Sequence, residues 1–330
     1  METHMLNQLN RRTLLATLLF ATAPFSFAQT TAATWPTKPI KLMVPYAAGG
    51  PADVVARELA LVLSADLKQT VTVENQGGGM GVPALGVVAR ADPDGHTLLL
   101  AAFGNMVLQP MLSKRGGADL VAKLRPVSTI STGPHVLVVS AKLPVKNIPE
   151  LIDYARANPG KVSFASAGTG GTAHLGMEMF KALSKTDVIH VPYKGSAGAV
   201  NDLISGEVSA MFSSLPSLQG LADKGLVKVL AATAPSKSAA TKSLPLIGTA
   251  LPGFDYTTWY AMYAPLATPK PIVDSINAAL TKALKTKNPV STPCVTIPCG
   301  LGNVTSTVCV WPPKYEPASN KVTSAWLRKW

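Results

Sequence analysis

Two hydrophobic rhythms alternate along this chain. Short runs rich in apolar and β-branched residues recur: IKLMVPY at 40–46, TVTVENQ at 70–76, HTLLLAA at 96–102, HVLVVS at 135–140, VSFASAG at 162–168, IHVPYKG at 189–195, VSAMFSS at 208–214 and VKVLAAT at 227–233. Between them, apolar residues fall at helical spacing, which predicts helices over 52–67, 82–91, 147–157, 173–183, 199–206 and 217–224. Asn147 suits an N-cap and Pro149 a first turn, and Asn158-Pro159-Gly160 is a stop signal. Strand-then-helix alternation of this kind predicts an α/β protein, with mainly parallel sheets flanked by helices. No solenoid-type repeat interrupts it.

Two of the strand-to-helix junctions share a layout. In VPYAAGGPAD (44–53) a strand ends in small residues and two glycines, and a helical pattern follows. In SAGTGGTAH (166–174) the same order returns, with hydroxyls at Ser166, Thr169 and Thr172. A helix's first turn has unpaired N–H groups and the positive end of its dipole, and glycine lets a ligand approach them. Two such loops predict a site for an anion. Neither contains Lys or Arg, and neither is a GxxxxGK[ST] phosphate loop. The second approximates GxGxxG only with Ala173 in the third glycine position, a weak dinucleotide signal.

The N-terminus bears on where this anion is met. Arg11 and Arg12 precede an apolar stretch from Leu14 to about Ala23, and small residues follow at Ser26 and Ala28. This predicts a secretory leader over 1–28, cleaved after Ala28, with Met5 as an alternative start; the stretch is too short for a membrane span. The general secretory route is expected, and the twin-arginine reading of the Arg pair is weaker. The expected location is a bacterial periplasm, where nicotinamide cofactors are scarce. The net charge is +12; removing Glu2, Arg11 and Arg12 with the leader leaves +11. Such a balance attracts acidic partners. No Lys/Arg run with interleaved aromatics points to nucleic acid. Roughly 300 residues beyond the leader exceed one ordinary core and predict two domains.

Catalytic constellations are thin. Ser166 lies in FASAG, with Phe164 where a GxSxG elbow needs glycine, and His174 follows eight residues later without an evident third group. An exported serine hydrolase using Ser166 and His174 is the rival reading. Histidines 96, 135, 174 and 190 are scattered, and no cysteine precedes the tail, so neither a metal nor any other cofactor is expected. His96 and His190 read as structural, whereas His174 could donate to a ligand oxygen.

The stretches WPTKPIKLMVPYAAGGPADVVAR, VENQGGGMG, ADPDGHTLLLA, ASAGTGGTAHLGMEMF, IHVPYKGSAGAVNDLISGEV and LPGFDYTTWYAMYAPLATPKPIV together resemble one family, in order from Trp35 to Leu284. It is the solute-binding receptors of tripartite tricarboxylate transporters, the Bug-type periplasmic proteins. The resemblance implies a two-domain periplasmic-binding (Venus flytrap) fold with two crossover strands. It implies a di- or tricarboxylate, amino-acid or aromatic-acid ligand between the domains, and membrane transporter subunits as partners. Backbone amides, hydroxyls and bridging waters would hold the carboxylate, with residues 46–53 and 166–174 as the two halves of the clamp.

On that basis Ala48, Gly49 and Gly50 are expected to touch ligand from one side, and Ser166, Gly168, Thr169, Thr172 and His174 from the other. Tyr46, Phe103, Asn105, Tyr193 and Ser213 are expected as walls and water partners, Tyr46 and Phe103 equally as packing, and Trp259 as core. No catalytic residue is expected, and the protein is read as a monomer. The first domain is expected over 35–132 plus 234–285 and the second over 133–233, with crossovers near STGPHVLVV and LAATAPSKS. Two departures stand out. Ser213 replaces the acid of the family's MFDxLPS pattern, which disfavours an amino-acid ligand and favours a plain carboxylic acid. SAGTGGT departs from SxGxGS, which bears on the second carboxylate contact. From about Thr286 the chain turns rich in Pro and holds Cys294, Cys299 and Cys309. Pro and β-branched residues argue against the family's closing helices over most of this tail. We read residues 286–330 as a change of reading frame near codon 286, with a disulfide or metal-binding appendage as the other reading.

Overall fold

The computed structural model describes residues 35–112, 117–236, 238 and 240–285. The expected leader and the tail beyond residue 285 lie outside them. Among the described residues, ten strands form two five-stranded sheets. The first runs β2 (Val71–Asn75), β1 (Ile40–Val44), β3 (Thr97–Ala102), β10 (Thr257–Pro265), β4 (Leu124–Pro134). The second runs β7 (Val188–Pro192), β6 (Val162–Ser166), β8 (Ala210–Ser213), β5 (Val136–Ser140), β9 (Val227–Ala232). Both sheets are mixed. One strand in each opposes its neighbours: β10 pairs antiparallel with β3 and β4, and β5 with β8 and β9. The fold class expected from the sequence, a two-domain α/β periplasmic-binding architecture with mainly parallel sheets, is the one observed.

Helices cover both faces of each sheet. On the first sheet, Leu98 and Leu100 point to one side, where Ala56 and Leu63 of α1 (Pro51–Leu67) and Ile276 and Leu280 of α10 (Lys270–Lys285) meet them. Leu99 and Ala101, one residue out of phase, point to the other, against Leu85 and Val88 of α2 (Val82–Ala89). This two-residue alternation is what a strand buried on both faces requires. A π-helical turn (Gly104–Leu108) follows β3, then the short α3 (Gln109–Leu112) and α4 (Gly117–Val121). The second sheet packs α5 (Ile148–Ala157) and α6 (Thr172–Ser184) on one face. On the other it packs α7 (Ser196–Ser205) and α8 (Leu215–Asp223). Asn147 caps α5 as expected: its side chain accepts from Glu150 N at 2.9 Å, and Glu150 accepts from Lys146 N at 2.8 Å.

The chain passes between the sheets twice. The first passage runs from Pro134 to Val136. The second lies later than expected. After β9, the described residues up to Tyr256 stay with the second sheet: Leu246 bridges to Ala232, α9 (Ile247–Ala250) follows, and Ile247, Leu251 and Phe254 enter the core beside Leu137 and Phe212. The correction has a physical cause, since these apolar residues are buried only against the second sheet. Return to the first sheet comes at Thr257. At the junction His135 N donates to Thr233 Oγ1 at 3.0 Å, Thr233 N to His135 O at 2.9 Å and Thr233 Oγ1 to Tyr256 O at 2.8 Å, tying the two passages together.

Candidate functional site

The loops that leave the C-terminal ends of β1 and β6 face each other across a cavity of about 410 Å³, within the range of small-molecule sites. Gly50 and Gly171 are the N-caps of α1 and α6; both are extended, and neither helix has a side-chain cap. Residues of both first turns, Pro51 and Ala52 with Thr172 and Ala173, line the cavity. Gly195 likewise opens α7 without a side-chain cap, and Ser196 lines the same space. Three helix N-termini thus bring open donors and positive dipole ends to one cavity, an arrangement that suits an anion. Lys194 supplies the one charged side chain among the described lining residues.

The expected site residues divide. Tyr46, Gly50, Asn105, Gly168, Thr169, Thr172, Tyr193 and Ser213 all line the cavity. Ala48, Gly49, Phe103, Ser166 and His174 are not among the residues that line it. Gly49 has its N–H committed to Asp53 Oδ2 at 2.8 Å, and Ala48 is exposed. Phe103 packs edge-to-face on Trp259, at 6.1 Å between ring centroids. Ser166 is 1% exposed and sits behind its loop, with Oγ 2.7 Å from His190 Nε2. His174 Nδ1 accepts from Gly170 N at 3.0 Å. The Ser166–His174 pair that a hydrolase would need is therefore not formed.

Several lining residues act as braces. Asn105 Oδ1 accepts from Ala102 N at 3.1 Å and Nδ2 donates to Met80 O at 3.2 Å, which fixes the loop before α2 against the end of β3. The Tyr193 hydroxyl donates to Asp202, and burial, followed by that bond and the carboxylate's charge, pushes the phenol up to about 12. Asp53, 4% exposed, also accepts from Arg57 Nε at 2.9 Å. Burial acts to raise its carboxyl, but hydrogen bonds from Arg57, Gly49 and Asn75 and the charge of Arg57 outweigh it and hold the group below its usual range. The loop–helix junction thus contains a carboxylate, turned back on its own loop.

Sequence reasoning passed over the wall built by Gly78–Gly81, Thr258 and Tyr260. The glycine cluster at 77–81 was a visible signal. Thr258 and Tyr260 gave none, because period-2 alternation in β10 does not say which face looks into the cavity. Thr258 Oγ1 lies 3.4 Å from Thr172 Oγ1, a hydroxyl pair between the two sheets' elements. Ala47 N donates to Lys194 O at 3.2 Å, a backbone bond across the same seam. The two lobes therefore meet directly at the rim of the cavity.

Residues 55–292 match the family described as tripartite tricarboxylate transporter family receptor. BugT of Bordetella pertussis is 34% identical over 287 residues, covering 84% of this chain and 86% of BugT. An R. palustris protein solved with adipate is 33% identical with a TM-score of 0.72, covering 74% of this chain and 83% of that one. MatC from Rhodopseudomonas palustris, solved with bound malate, is 30% identical with a TM-score of 0.71, covering 77% and 86%. With the family match spanning most of the chain and the same two-sheet fold in these structures, the chain belongs to the tripartite tricarboxylate transporter receptors, the Bug-type periplasmic solute-binding proteins.

Proposed function

We propose that this protein holds a small carboxylate, a di- or tricarboxylate or an aromatic acid, in the cavity between its lobes and delivers it to membrane transporter subunits. It would be exported by the leader over 1–28 and work as a monomer in the periplasm. The carrying observation is the convergence of uncapped helix N-termini from the two sheets, α1 on one and α6 and α7 on the other, on one cavity. Neutral amides and the hydroxyls of Thr169, Thr172, Ser196 and Ser213 read a carboxylate there, and Lys194 adds a cation at the rim. The relatives solved with adipate and malate support a carboxylate as guest. Asp53 is spent on Gly49 and Arg57, no acidic side chain is among the described residues that line the cavity, and Ser213 in the family's acid position agrees with a plain acid.

Binding would close the lobes as hinged bodies. We propose 35–134 with 257–285 as one body and 135–256 as the other, turning about the His135–Thr233–Tyr256 junction. Catalytic turnover forms no part of this reading. Ser166 is buried, its histidine partner is His190, and among the described residues no carboxylate is hydrogen-bonded to His190. A thermal-shift panel of mono-, di-, tri- and aromatic carboxylates tests the proposal. Saturation at about 100 times Kd should add about 2.7 kcal/mol. Hydrolysis of ester substrates that vanishes in Ser166→Ala, without a shift by any acid, would establish the hydrolase instead.

A further inference from the structure

The two clamp loops are locked by the same local geometry with different chemistry. In each, the third residue of the helix reaches back four positions to the amide that precedes the N-cap glycine. In the first loop, Asp53 Oδ2 takes Gly49 N–H at 2.8 Å; in the second, His174 Nδ1 takes Gly170 N–H at 3.0 Å. Gly170 has φ +76° and Gly168 φ +146°, conformations that glycine adopts without steric cost. The second loop has a further anchor. Ser166 Oγ accepts from Gly168 N at 3.2 Å and lies 3.1 Å from Gly168 O. Its bond to His190 Nε2 comes from the neighbouring parallel strand, where Phe164 of β6 pairs with His190 of β7.

The two imidazoles stack, with centroids 3.9 Å apart and planes 17° from parallel. Gly170 N–H can donate only to an unprotonated Nδ1, so His174 carries its proton on Nε2, facing Glu178 Oε1 at 3.7 Å. His190 as the Nε2–H tautomer donates to Ser166 Oγ, and the serine proton then goes to Gly168 O, which satisfies every bond in the chain. We infer that His174 and His190 are positioning residues for the second clamp loop, which keeps its ligand-facing amides in place only while His174 Nδ1 is free to accept. A proton on His174 removes the acceptor from Gly170 and sets a cation against the His190 ring.

The groups that act on the pair agree with a neutral state near neutral pH. Burial lowers His174, and Glu178 on its own helix partly opposes this. Burial and then the charge of His174 lower His190 to about 4. Both therefore stay uncharged above the usual histidine range and charge as the medium becomes acidic. Asp53 remains a carboxylate through that window, so acid opens the second loop and leaves the first locked. The inference rests on the receptor reading only in calling these amides ligand-facing.

Amide exchange on the full chain, labelled with 15N-glycine, tests it without any ligand. Gly170 should be protected at about pH 7.5 and lose protection as the pH falls below the usual histidine range. His174→Ala should lower that protection about fivefold even at the higher pH, the worth of one ordinary hydrogen bond. His174→Asn should restore it and hold it across the range, because the side-chain oxygen accepts in place of Nδ1 and does not titrate. Equal protection in His174→Ala and the parent, or an acid loss in His174→Asn that matches the parent, would overturn the inference. Titration with adipate and malate forms the second arm. Affinity should fall with acid more steeply in the parent than in His174→Asn, and matching slopes would count against the inference. If neither diacid binds, the proposed ligand class is in error while the exchange result still decides the role of the pair.

Discussion

Replacing Gly104 by alanine separates closure from folding. Gly104 opens the π-helical turn after β3 and lines the cavity. A methyl group there would stand 3.1 Å from Gly171 Cα and 3.2 Å from Thr172 N, and both atoms belong to the opposite lobe. Nothing nearer in its own lobe is crowded, and the residue is not in the left-handed region. Within its own lobe, alanine should be neutral or stabilising by about 0.4–1 kcal/mol, through a less mobile unfolded chain. Across the seam the contact is tighter than ordinary packing tolerates, so the lobes must part by a few tenths of an ångström. Such overpacking costs about 1–3 kcal/mol, and under the proposed hinge motion it falls on the form in which the lobes touch at this seam. The expected outcome is a ligand-free melting temperature equal to or above that of the parent, with affinity weakened roughly 5- to 150-fold. Differential scanning calorimetry without ligand and titration calorimetry with the best acid of the panel read the two effects. Unchanged affinity would refute the seam as a closing surface. A parallel loss of stability and affinity would show instead that the seam is part of a rigid core.

Three other outcomes follow from the same geometry. His135 is 7% exposed, its Nδ1 lies 3.3 Å from the Tyr256 hydroxyl, and burial lowers it to about 4. Because the folded form binds its proton more weakly than the unfolded chain does, the stabilisation is full above about pH 6.5 and is lost as the pH falls toward about 4, on the order of 3 kcal/mol. Urea midpoints across that range should fall less in His135→Gln, and equal slopes would count against a buried neutral imidazole. Asp53→Ala should cost about 0.5–1.5 kcal/mol by removing the acceptor of the Gly49 amide, while Asp53→Asn should cost less, both read by urea denaturation. Added salt should slow ligand association and leave dissociation nearly constant, because surface charge is screened within about 8 Å at physiological ionic strength while the cavity is shielded. Stopped-flow fluorescence of Trp259, which packs on Phe103 beside Gly104, can separate the rates; a steep rise in dissociation would make Lys194 the anchor.

Strand-turn-helix units were legible because an apolar run that stops at a glycine can hardly be anything else. β1 with α1 and β6 with α6 lie within a residue or two of their expected bounds. β4 and β10 carried less signal. LRPVSTISTGP is polar, and TTWYAMYAP mixes aromatic and small residues because the strand borders both core and cavity. Which loop residue lines the cavity was not legible either. Ala48, Gly49 and Gly50 are adjacent, yet the Gly49 amide turns inward because Asp53 lies four positions on. Ser166 was paired in expectation with His174 by nearness in sequence. Its real partner is 24 positions away, brought beside it by the parallel register of β6 and β7. That register is a property of the sheet, which no local spacing reveals.

Titration calorimetry with the strongest acid of the panel beside its neutral primary amide tests the central claim most directly. The amide has nearly the shape of the acid but lacks the charge that uncapped helix N-termini favour. The account predicts one acid bound per chain, and at least about a hundredfold weaker binding of the amide, since hydrogen bonds to a charged group are worth roughly 1.5–3 kcal/mol each and more than one donor converges on the site. Equal affinity for the acid and the amide would contradict it, because a cavity that holds both alike is not reading a carboxylate.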